Sequence, residues 1–220
     1  MSFERGFRAA GAAALAISAA AFVIGLVALY LAEGPASPDL NIYLSSASGQ
    51  SDLLVMVTAL TAAVVLFLFG LLVALTDLAG DSRTEAIVAG GLAVAAVPLF
   101  VGFLALHYAL VGTLREGIDA TSQPFRVQFL QAHAVGDWSG WTGIVLFAGS
   151  LLVYGLAVVR ERRSPTIGWV AIAVAATGLV LVPTGLGFAF TLILPVWELA
   201  AAVGLLRTPP RGAAPPCVFR

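Results

Sequence analysis

The sequence predicts an all-α, polytopic membrane protein: a bundle of six transmembrane helices with a short amphipathic helix on its outer side. Three observations predict it. Of 220 residues, 60% are hydrophobic and only 10% charged, where a soluble domain has about a quarter charged. The apolar residues fall into long runs, matching the ~20 residues that a helix needs to cross hydrocarbon. The arginines gather in alternate connecting segments.

The first span is Ala9–Ala32, a run without charge that follows Arg5 and Arg8. It is too long for a signal peptide and lacks a convincing small-x-small cleavage site, so it is expected to stay in the chain. Glu33 to Asp52 is a polar loop in which Pro35 and Pro38 stop the helix, with Leu40, Ile42, Tyr43 and Leu44 suited to the interface. Leu53–Thr76 is the second span. A tight turn over 77–85 offers Ser82 or Thr84 as a cap for the third, Ala86–Val111. Pro98 can kink that helix, and His107 and Tyr108 lie near its far end.

Residues 112–137 form the longest polar segment. Within it Phe125, Phe129 and His133 recur at helical spacing, and Pro124 suits a first helical position. This is the amphipathic helix expected at the outer surface. Trp138 and Trp141 mark the headgroup level, and span four covers 139–159. Arg160 to Ser164 is a basic turn, and Pro165 opens the next helix. The apolar stretch 166–206 is about twice one span, and Pro183-Thr184-Gly185 divides it into 166–182 and 186–206. Residues 1–208 thus form one domain, and the Pro-rich 209–220 is expected to be a disordered cytoplasmic tail.

Charge sets the orientation. With six spans and the amino terminus inside, nine arginines (5, 8, 83, 160, 162, 163, 207, 211, 220) lie on the inner side, against Arg115 and Arg126 outside. Merging spans five and six would weaken the bias to six against five, so the arginines favour six spans. The expected location is the inner membrane, with both termini cytoplasmic. A shift of 80 residues also aligns Leu66-Phe67 with Leu146-Phe147 and Leu71-Leu72-Val73 with Leu151-Leu152-Val153. Spans two and three therefore echo spans four and five in the same orientation, as a parallel repeat does.

Glu198 is the one acid or base far from any membrane edge. A charge there costs roughly 2.5–3.5 kcal/mol, so it should face inward and have a partner. Pro195 frees the carbonyl of Thr191, and Trp197 offers an indole donor beside the acid. Glu198, Trp197 and Thr191 are the candidate buried polar site, suited to an ion, a proton or a headgroup. The alternative is a structural carboxyl held by a hydroxyl of Thr58, Thr61, Thr142 or Thr177. On the outer side, His107, Tyr108, His133 and Asp137 are candidates for a ligand or proton relay. His107 carries the reading in which haem or a pigment is bound; otherwise no cofactor or metal is assigned.

From His133 onward, a glycine-rich span, a basic turn into Ser164-Pro165-Thr166-Ile167-Gly168-Trp169, and Pro195-Val196-Trp197-Glu198 follow in order. This resembles the bacterial six-helix membrane family named domain of unknown function 4386, over roughly residues 5–207. The resemblance implies a fold and a compartment but no reaction. The chain departs from that pattern after Pro165, where the family more often has a bulky basic or aromatic pair.

Several chemistries lack footing. There is no HExxH, GxSxG or Walker loop. No lysine is present for Schiff-base chemistry, and one cysteine cannot form an internal disulfide. No basic cluster suits nucleic acid. The expected partners are lipid and either another membrane protein or a second copy. The leading expectation is a non-catalytic structural or accessory subunit of a membrane complex. A small proton-coupled or small-molecule transporter using Glu198 is the alternative, and a redox protein using His107 the third.

Overall fold

A computed structural model describes residues 2–33, 50–76, 82–115, 123–162, 164–184 and 190–207. Within these helices, the side chains of 2, 3, 29–33, 50–53, 107, 108, 110–115, 125, 126, 129 and 133 lie outside the description. The loop over 34–49 and the tail from 208, with the expectations attached to them, are outside it as well.

The chain forms α1 (Ser2–Glu33), α2 (Gln50–Thr76), α3 (Arg83–Arg115), α4 (Gln123–Glu161), α5 (Pro165–Leu181) and α6 (Phe190–Arg207). All six are long and apolar enough to cross a membrane. Each packs on the next in sequence, and α6 closes the ring by packing on α1. Neighbours are antiparallel, so the start of α1 and the end of α6 meet at one end of the bundle. Arg8 fixes this: its buried side chain donates from Nε to the carbonyl of Leu205 at 3.2 Å. The last carbonyls of a helix have no internal donor and carry partial negative charge, so a guanidinium there both caps and neutralises.

The divide between spans five and six falls where the prolines and glycines place it. α5 stops at Leu181 and a 3-10 turn, Val182–Thr184, ends the segment. Pro165 opens α5 as its first residue, with Ser164 before it. Arg162 ends α4 in the left-handed conformation, φ 55°, the usual way to terminate a helix sharply.

One expectation changes. The outer amphipathic helix and span four are a single helix of 39 residues. Nothing between Pro124 and Pro165 breaks it; Gly136 and Gly140 are isolated glycines, which lower helix propensity without stopping a helix. Trp138 and Trp141 lie on this continuous helix as an edge-to-face pair 5.7 Å apart, Trp138 well exposed.

The core sits on the ring axis around a cluster of aromatic side chains from α2, α4 and α6, which Phe100 of α3 joins against Phe147. Phe67 of α2 meets Phe147 of α4 at 5.0 Å and Trp197 of α6 at 5.7 Å, while Tyr154 of α4 meets Trp197 at 5.6 Å. Glycines let backbones approach: a Cβ on Gly168 would lie 2.8 Å from the carbonyl oxygen of Gly155. The outer face is apolar, with Ile17, Val65, Ile87, Leu156, Val180 and Leu192 exposed. Such a surface requires lipid around it.

The 80-residue echo extends to burial. Buried, intermediate and exposed positions coincide one for one between 54–67 of α2 and 134–147 of α4. The aligned Phe67 and Phe147 touch each other on the axis. The pattern of α6 from 190 follows that of α2 from 63 and α4 from 143 at nearly every position.

Candidate functional site

Glu198 is fully buried at mid-helix, about 12–14 Å from either end of α6. It faces α1. Ser18 Oγ and Glu198 Oε1 are hydrogen-bonded at 2.5 Å, and the same hydroxyl oxygen stands 2.8 Å from the carbonyl oxygen of Ala63. Ser18 lies near the middle of α1 and Ala63 in the middle of α2. The three groups therefore share one depth, at the centre of the bundle.

Local sequence explains the arrangement. Small residues flank Ser18 (Ala14 and Ala19 are buried with it), and Gly11, Gly25 and Gly70 remove bulk along the α1–α2 contact. The two backbones come close enough for a hydroxyl to reach across to a carbonyl. The same device ties α4 to α3, where Ser150 Oγ donates to the Ala89 carbonyl at 2.7 Å. A single hydroxyl–carbonyl bond in a membrane bundle contributes about 0.6 kcal/mol, up to about 2.

Sequence reasoning placed the acid correctly inside the protein and missed its partner. Thr142 and Thr177 bond their own helices, at the carbonyls of Trp138 and Ala173, and are exposed; Thr58 is exposed too. The signal was available in Ser18, the only serine or threonine in the run Ala9–Ala32. Trp197 does not serve the acid either. Its ring is fully buried against Phe67 and Tyr154, and its Nε1 meets no hydrogen-bond partner among the described residues. Thr191 is buried two turns away, about 10 Å along the axis. Glu198, Trp197 and Thr191 are thus three separate environments on one helix: Trp197 points about 100° away from Glu198, and Thr191, on nearly the same face, is separated from it along the axis.

Glu198 Oε2 is buried and meets no donor among the described residues. The helices packed on α6 bring no charge to its level: within α1 the charged residues Glu4, Arg5, Arg8 and Glu33 are terminal, α2 has only Asp52 at its start, and α5 has none. The site can hold a proton.

The side chains of His107, Tyr108 and His133 lie outside the described residues; Asp137 is half-buried on α4. Among the described residues, no three His, Cys, Asp or Glu side chains come together as a metal site. The chain matches no family model, no curated protein and no solved structure.

Proposed function

We propose that this integral membrane protein is a non-catalytic structural or accessory subunit of a membrane complex. In this reading it lies in the inner membrane, with both termini cytoplasmic, and belongs to the domain of unknown function 4386 family that it resembles. One observation carries the reading: three of its buried polar side chains tie helices together. Arg8 ties α1 to α6, Ser18 ties α1 to α2 and α6, and Ser150 ties α4 to α3. The axis is filled by aromatic rings, an arrangement that favours rigidity over passage.

A second reading, a proton-coupled carrier, is favoured by the Glu198 oxygen that meets no donor. One experiment separates the two. The protein is extracted from its own membrane in polymer-bounded nanodiscs at native abundance and weighed, and the purified chain is tested for proton uptake in liposomes. A defined stoichiometric assembly with no uptake supports the subunit. A solitary chain with uptake abolished by Glu198→Gln sinks it and favours the carrier.

A further inference from the structure

We propose that Glu198 is a proton-binding site at the middle of the membrane. The neutral carboxyl, the Ser18 hydroxyl and the Ala63 carbonyl form a hydrogen-bonded chain that holds the proton between α6, α1 and α2.

The argument is a count of hydrogens. Ser18 Oγ stands 2.5 Å from a carboxyl oxygen and 2.8 Å from a carbonyl oxygen. Both distances are those of hydrogen bonds, yet a hydroxyl has one hydrogen to donate. If Glu198 were a carboxylate, one of the two contacts would set two oxygens together with no hydrogen between them. A proton on Glu198 gives each contact its own: the acid O–H donates to Ser18 Oγ, and the Ser18 O–H donates to the Ala63 carbonyl. Buried polar groups in folded proteins are satisfied in this way.

Two further observations agree. Glu198 Oε2 meets no donor among the described residues, a position tolerable for a neutral acid and costly for half of an anionic charge. Among the described residues no cation is at its depth: of the charged groups on α1, α2, α5 and α6, the inward-reaching Arg8 bonds Leu205, about 10 Å along α6 from Glu198. The repeated burial pattern adds a reason to see the acid as a specific addition. It aligns Glu198 with Leu71 and Leu151, both fully buried, so an apolar side chain fills this position in α2 and α4. The inference is independent of the subunit reading, since a helix clamp and a carrier would both use a protonated acid.

Infrared difference spectroscopy tests it. Wild type in lipid at neutral pH should show a carboxylic-acid C=O band that Glu198→Gln lacks, whereas loss of carboxylate stretches in the variant overturns the proposal. Isotope-labelled glutamate assigns the band to a glutamate in the unsubstituted protein, and Glu198 is the one buried glutamate among the described residues, so the test survives a variant that does not fold. Ser18→Ala should move the same band to higher frequency, because the acid loses its acceptor. An unmoved band overturns the chain.

Discussion

At the scale of single residues, the protein turns on which buried groups are answered and which are merely packed. Ser18 bridges two oxygens at once, so Ser18→Ala leaves both the Ala63 carbonyl and Glu198 without a partner there. Orphaning buried polar groups costs about 1–3 kcal/mol, and equilibrium unfolding in mixed micelles should record a loss of that size. A loss below about 0.5 kcal/mol would mean that the clamp contributes little. Trp197 presents the opposite case: a large ring in full contact, with an indole N–H that meets no partner among the described residues. Trp197→Phe should therefore cost far less than Trp197→Ala. The alanine variant should lose about 3 kcal/mol, the low end for such truncations, because lipid solvates apolar groups as well as the core does. The same unfolding assay checks the order.

At the scale of the helices, close approach is decided by a few glycines, and these differ in what surrounds them. A Cβ on Gly168 would meet backbone atoms of α4, 2.8 Å from Gly155 O and 3.0 Å from Val159 N, besides the Val159 side chain. Backbone cannot rotate aside, so α5 must back away from α4. Gly168→Ala should destabilise by about 1–3 kcal/mol. Gly91 on α3 has nothing within 4 Å, and Gly91→Ala should stay within about 0.5 kcal/mol of wild type. Thermal unfolding of the two variants side by side distinguishes a packing glycine from an idle one.

For the whole molecule, the ring of antiparallel neighbours brings the start of α1 and the end of α6 to one end, joined by Arg8 and Leu205. Arg160 at the end of α4 and Glu85 at the start of α3 pair there at 3.1 Å, an exposed contact of small energetic weight. Arg5, Arg8, Arg83, Arg160 and Arg207 of the described helices collect at this end, the side that the arginine bias assigns to the cytoplasm. The native Cys217 then reports orientation: a membrane-impermeant maleimide should label it in inside-out vesicles and leave it unlabelled in intact cells. Labelling from the outer face would reverse the topology.

How much of this was legible in the sequence divides along a physical line. The spans, the break at Pro183, the shared end of the bundle for the start of α1 and the end of α6, and the burial of Glu198 all follow from the residues. Each depends on a quantity that residues carry one by one: transfer into lipid, the cost of a stranded charge, the helix-stopping proline. The continuity of α4 was missed because a polar composition over 112–137 was read as a change of element, although helical propensity runs through it. The partner of Glu198 and the direction of Trp197 were decided by tertiary structure alone. Both depend on how each helix is rotated about its own axis. Lipid tails and a protein core are almost equally apolar, so Ala, Leu and Val runs do not say which face turns inward. Only the fitting of glycines, rings and one serine against neighbouring helices settles that rotation.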